Sequence, residues 1–178
     1  SVATPRPASS VGEILIEEYG YGLGPPTGIL VLRYPPGPAV PDFPEDRDDF
    51  LHQVFWSPDG VLSVRRGQSW TFLSSAEMLW LRRGVVAEVR GRGVQTVLRT
   101  CVREAPPELN ARPAAVLTPD PEVGQRLLGL ARPGVAEETA LTTRAEVFAA
   151  LASEPARDIE HLAAADTPAH AIARVLVA

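Results

Sequence analysis

From Gly28 to Arg103 the apolar and polar residues alternate with a period of two rather than 3.6, which is the signature of strands with two unlike faces. In SWTFL, Trp70 and Phe72 share a face. In VVAEVRG, Val85, Ala87 and Val89 lie together and Glu88 and Arg90 oppose them. In VQTVLRTCVRE, Val94, Thr96, Leu98, Thr100 and Val102 make one apolar side, while Gln95, Arg99, Cys101 and Arg103 make the other. The stretch SPDG at 57–60 joins two strands: Pro58 presets φ for a turn and Gly60 accepts a positive one. Six or more short strands separated by such turns predict a β-sandwich or barrel. Upstream, GEILIEEYG alternates too, and residues 1–10 read as a flexible leader. The glycine-rich YGYGLGPPTG is followed by two prolines and a strand, not by the helix N-terminus a phosphate loop needs, so it reads as a plain loop.

After Pro113 the pattern turns helical. TPDPEVGQRLLGLARPG predicts a helix capped by Thr118, with Pro119 in its first turn and a stripe of Val123, Leu127 and Leu130. TTRAEVFAALASEP carries a capping box, Thr143 with Glu146, and an apolar side of Val147, Ala150 and Leu151. DTPAHAIARVLVA begins a third helix with Ile172, Val175 and Leu176 on one side, and its lack of a glycine stop reads as a chain cut from something longer.

Composition narrows the class. The 178 residues, 45% hydrophobic and 22% charged, suffice for one packed domain, and 18 prolines with 14 glycines suit a turn-rich β fold. No apolar run reaches bilayer length and no signal peptide is visible; one cysteine excludes an internal disulfide and fits a reducing cytosol. These features predict a soluble cytoplasmic protein that does not meet a membrane. All 17 basic residues are arginine, yet the net charge is −5, so the chain lacks the basic stripe that displaces counterions from nucleic acid.

Several landmarks, taken in order, resemble one family. RYPPG is similar to its entry strand and turn, and HQVFWSPDGVLSV to its HQL strand and glycine-ended hairpin. WTFLSSAEMLWLRRGVVAEVRGRG is similar to its tryptophan-to-LWIPAGVPH segment, the helices follow in order, and TPAHAIARVLVA resembles the first helix of its DNA-binding domain. Over residues 28–178 the chain thus resembles the cupin-type N-terminal domain of AraC-family transcription regulators. The resemblance implies a mainly β fold, a cupin-type (jelly-roll) β-barrel followed by C-terminal α-helices. It implies three parts: residues 1–113 as the barrel with an N-terminal arm, 114–165 as a helical dimerisation or linker region, and 166–178 as the start of a truncated DNA-binding domain. It also implies a small-molecule effector, a homodimer contact through helices at 119–131 and 143–152 that includes Val123, Leu127 and Leu130, and DNA contact only through a helix-turn-helix domain beyond this chain.

Against the metal-binding cupin pattern the residues depart. The two histidine positions of the first motif fall on Arg47 and Asp49, its glutamate on Gln53, and the later histidine on Ala87. An amide, a guanidinium and one carboxylate do not supply the three or four converging donors a transition metal wants, so neither metal nor cofactor is expected. His52 lies one residue away from the Gln53 position and so faces the other way in a strand. It reads as a wall or interface histidine, with effector contact as the alternative. As a general base it lacks an orienting partner, because Asp46, Asp48, Asp49 and Asp59 read as a solvated rim. Trp56, Trp70 and Trp80 suit a core, and also a cavity wall. The ligand-site candidates are therefore His52, Gln53, Trp70 and Trp80. Arg33, Arg82 and Arg99 suit either an anionic ligand or exposed strand positions, and Cys101 either an inert strand position or a redox sensor. The expectation is an effector-sensing domain and not an enzyme. A metal-free cupin-fold enzyme and an interaction domain with a filled barrel remain the alternatives.

Overall fold

The structure is a computed structural model that describes residues 7–11 and 14–161. Its strands are β1 (Pro7–Val11), β2 (Ile14–Tyr21), β3 (Ile29–Tyr34), β4 (Asp42–Asp46), β5 (His52–Trp56), β6 (Leu62–Arg66), β7 (Ser69–Leu73), β8 (Met78–Leu81), β9 (Ala87–Gly91), β10 (Val97–Val102), β11 (Ala114–Leu117) and β12 (Ala156–Asp158). Its helices are α1 (Pro107–Asn110), α2 (Pro121–Leu130) and α3 (Glu137–Ser153). The strands form an eight-stranded antiparallel sheet, β1-β2-β3-β10-β5-β8-β11-β12, and a four-stranded one, β4-β9-β6-β7.

Two apolar cores define three layers. Between the sheets, Phe55, Leu79, Leu81 and Val97 of the large sheet meet Leu62, Val64, Leu73 and Val89 of the small one. On the outer side of the large sheet, Val54, Trp56, Trp80 and Leu98 meet Leu109, Val123, Leu127, Phe148 and Leu151 of the helices. The central strands therefore have no solvent-exposed face. All five residues of β5, all four of β8 and all four of β11 are buried. Such strands read as continuous apolar runs rather than as alternation. In β10 only Leu98, Thr100 and Val102 of the predicted apolar side fall within the strand; Val94 precedes it and is 73% exposed.

The helix boundaries differ from expectation. Thr118 does not cap α2: Asp120 does, its carboxylate accepting from the Glu122 amide at 3.0 Å, with Pro121 at the first helical position. α3 begins at Glu137, so Thr143 lies inside the helix and its capping box does not form. The stripe of Ala140, Val147, Phe148 and Leu151 explains the earlier start, because Ala140 already packs in the core. Glu137 and Glu138 favour the positive end of the helix, and Glu137 Oε1 also accepts from the Gly22 amide at 2.8 Å, fixing α3 to the end of β2.

Residues 114–117 and 156–158, expected within a helical region, are strands β11 and β12 of the large sheet. The helices α2 and α3 are thus an excursion between two paired strands. The helix expected from residue 166 onward lies outside the described residues. Among those described, no helix is long and apolar enough to cross a membrane.

Candidate functional site

Within the barrel one polar pair stands in an apolar box. Gln53 on β5 is directly across from Cys101 on β10, and Arg99 is across from Phe55. The Arg99 Nε donates to Gln53 Oε1 at 2.7 Å. The Arg99 guanidinium lies 5.4 Å from the Phe55 ring centroid and 5.8 Å from that of Phe43 on β4. Phe43 in turn meets Phe55 at 5.2 Å and Tyr34 at 4.8 Å, both edge to face. Burial pushes the Tyr34 hydroxyl above its ordinary pKa, and Arg99 opposes that shift. Arrangement and charge together describe a half-buried cation held by an amide and two aromatic faces.

The space left there is small. A cavity of about 30 Å³, lined by Phe43, Asp46, Gln53, Val85, Ala87 and Arg99, is what remains. Ligand cavities run to about 300 Å³ or more, and a single water occupies about 30 Å³. Phe43 forms one wall of this space, packed against Phe55 and Tyr34. Larger hollows lie outside the barrel, such as an open groove of about 550 Å³ along α3 between Glu104, Arg144 and Phe148. There Arg144 is already committed to the carbonyls of Gly28 and Glu104.

Of the four ligand candidates, only Gln53 faces this interior. Strand parity sends its neighbour His52 to the helix side, where the imidazole is 2% exposed and 5.2 Å from the Trp80 ring. His52 Nδ1 accepts from the Arg83 amide at 2.9 Å. Burial, and then the charges of Arg83 and Arg82, lower its pKa to about 4, so the ring is neutral near pH 7. Trp80 is fully buried on that same side, its Nε1 donating to the Arg112 carbonyl at 2.9 Å. Both are wall residues, with His52 Nδ1 and Trp80 Nε1 each hydrogen-bonded to backbone. Trp70 shares a face with Phe72, but it is the outer face of the small sheet, where Trp70 is 50% exposed. It does not line the barrel.

The expected dimer stripe is also placed elsewhere. Val123, Leu127 and Leu130 are all buried in the core between α2 and the large sheet. Gly124 explains how closely α2 sits: a Cβ there would come within 2.5 Å of the Trp56 ring. That stripe is covered by the chain's own sheet and leaves nothing for a second copy.

At the metal-cupin positions, Arg47 is ion-paired with Asp49 at 2.6 Å and Ala87 is buried. Among the described residues no three His, Cys, Asp or Glu side chains are grouped to hold a metal ion. Arg33 pairs with Glu17 at 3.1 Å, and Arg82 Nη1 donates to the Asn110 carbonyl. Cys101 is buried, and burial pushes its thiol up to about 11, against a lesser pull from Arg99, so it is an inert strand cysteine. Phe43, Phe55 and Tyr34 were not among the sequence candidates. The visible signal was the phenylalanine beside the proline-flanked acidic loop, which alternation alone does not aim inward.

Comparison with known proteins gives a likeness of fold. No family model matches the chain, and no curated protein matches it. The solved AraC-like transcriptional activator CuxR superposes with a TM-score of 0.56 at 17% identity, over 96% of this chain and 69% of that one. The cupin domain of Cnp3 from Schizosaccharomyces pombe gives 0.40 at 13% identity, over 50% of this chain and 65% of that one. An oxalate decarboxylase from Bacillus subtilis gives 0.42 at 8% identity, over 57% and 28%. The chain therefore has a mainly β fold with its helices packed on the large sheet, similar to the fold of an AraC-like activator.

Proposed function

We propose that the chain is the effector-sensing and dimerisation half of an AraC-type transcription regulator, a metal-free homodimer in which Gln53 and Arg99 meet the effector. The observation that carries this reading is the single amide–guanidinium pair set in the aromatic box of the barrel. Holding a guanidinium half out of water costs free energy that an apolar side chain would not, which a ligand contact explains. The fold likeness supports the reading because it takes in the helices as well as the barrel. The matching effector is a small molecule with a planar anionic or carbonyl group, bound in plane by Arg99 and flanked by phenyl faces. Entry requires Phe43 to leave. It sits on β4, an edge strand whose pairing with β9 shifts register between Phe43 and Asp46. Displacing β4 gives the effector two barrel states to bind unequally, and only that difference can reach a DNA-binding domain beyond the barrel. No catalytic role is assigned to any side chain in this reading, and DNA contact belongs to that further domain.

The filled-barrel alternative has one observation in its favour, the cavity of only about 30 Å³. A thermal-shift panel of small aromatic and aliphatic carboxylates separates the two. The regulator reading expects a stabilising member of the panel, tighter in Phe43→Ala, where the box is open, and lost in Gln53→Leu. If no member binds either protein and Gln53→Leu is more stable than wild type, the barrel is a solid core.

A further inference from the structure

The small sheet has two edges, and they are treated differently. β4 carries Asp42, Pro44, Glu45 and Asp46, charges and a proline that discourage another strand from adding. At the far end of the large sheet, β12 is three residues long and bears Arg157 and Asp158. β7, SWTFL, is the other edge of the small sheet and carries neither charge nor proline. Its outer face instead exposes Trp70 by 50% and Phe72 by 54%.

The register of β7 shows which of its backbone groups are open. Gly67 and Gln68 link β6 to β7, and Gly67 takes the positive φ of 63° that a two-residue hairpin turn calls for. Such a turn makes Arg66 and Ser69 a hydrogen-bonded pair, and the pairs Val64–Thr71 and Leu62–Leu73 follow in alternation. The amides and carbonyls of Trp70 and Phe72 therefore point away from β6, along an edge that no other strand among the described residues pairs.

We infer that β7 is a self-pairing edge, joining β7 of a second copy about a two-fold axis at Thr71. That axis sets Trp70 of one copy opposite Phe72 of the other, twice. It matches the outward N–H of each with the outward carbonyl of its opposite and makes two aromatic cross-strand pairs on one face. A second copy fits better than a polyanion. The strand itself is uncharged; of the two arginines stacked on its rings, Arg65 beneath Trp70 is paired with Glu45 at 3.1 Å and Glu88 at 2.8 Å, which leaves Arg92, 5.1 Å from the Phe72 ring, at the margin of the contact. The area fixes the strength. At about 200 Å² per aromatic side chain, half exposed, the four rings contribute roughly 400 Å². Stable interfaces bury about 1,200–2,000 Å², so this contact alone is weak and concentration-dependent. The inference stands without the regulator reading, and its test involves neither effector nor DNA.

Sedimentation velocity of the chain from about 10 to 500 μM tests it, with circular dichroism as the folding control. Trp70→Lys places a charge on the edge, and Phe72→Pro removes one outward N–H while sparing the bonds to β6. Wild type is expected to dimerise reversibly within that range, and each variant to weaken the dimer by about tenfold or more. A wild type that stays monomeric throughout overturns the inference, as does a dimer that either correctly folded variant retains at full strength. A monomer whose Trp70 fluorescence responds to an alternating Thr-Val peptide also overturns it, making the occupant a foreign strand.

Discussion

His52 shows how one side chain can be chemical in type and structural in use. Its Nδ1 is an acceptor for the Arg83 amide, a role open only to the neutral ring in that tautomer. Folding lowers its pKa from 6.5 to about 4, so between those values the unfolded chain binds the extra proton. Stability from this residue is therefore complete above about pH 6.5 and is lost as the pH falls toward 4, by roughly 3 kcal/mol at the lower end. Urea midpoints measured from pH 7 to 4 should drop more steeply for wild type than for His52→Gln, which keeps an acceptor but does not titrate. Equal slopes would remove His52 from the account. The carboxylates titrate in both proteins and cancel in the comparison.

Helix α2 makes the element scale concrete, because it holds two glycines in opposite situations. A methyl at Gly129 meets nothing within 4 Å, whereas one at Gly124 meets the Trp56 ring at 2.5 Å. Trp56 cannot swing aside freely, since its Nε1 donates to the Ser75 carbonyl at 2.7 Å. Gly129→Ala should raise the melting point through helix propensity, by up to about 1 kcal/mol. Gly124→Ala should lower it, overpacking at about 1–3 kcal/mol outweighing the same propensity gain. Thermal melts of the two variants decide this, and a shift of the same sign in both would refute the packing argument. The elements also show what the sequence could convey. Parity separated His52 from Gln53 correctly, and it grouped Trp70 with Phe72. It could not say which group points inward, because a strand of the small sheet has an inner and an outer face and here the outer one carries the larger rings. The Thr143–Glu146 spacing looked like a helix start, but Glu146 is ion-paired with Arg126 of α2 and the helix had begun a turn and a half earlier.

At the scale of the whole molecule, the layered arrangement was only half legible. The packed β layers followed from alternation and turn residues, and the helices after them from the change of period. The central sheet with an apolar core on each side did not, since β8 and β11 are too short and uniformly apolar to show any period. The same layering has a temporal consequence. β11 and β12 are partners, Val116 opposite Arg157, yet residues 118–155 lie between them. Hairpins such as β6–β7 and the helices can form from near neighbours, but β12 finds its place only after the excursion has condensed against the sheet. It is then held by the Ile159 amide on the Ala114 carbonyl, by Arg66 on the Ile159 carbonyl, and by Arg112 with Asp158. In pulsed hydrogen exchange during refolding, the Arg157 and Ile159 amides, which face β11, should gain protection after those of Val64 and Thr71. Simultaneous protection would mean that the sheet closes first and the helices are threaded afterwards. A seam sealed last is also the first to part, so the same short strand is where unfolding of this chain should begin.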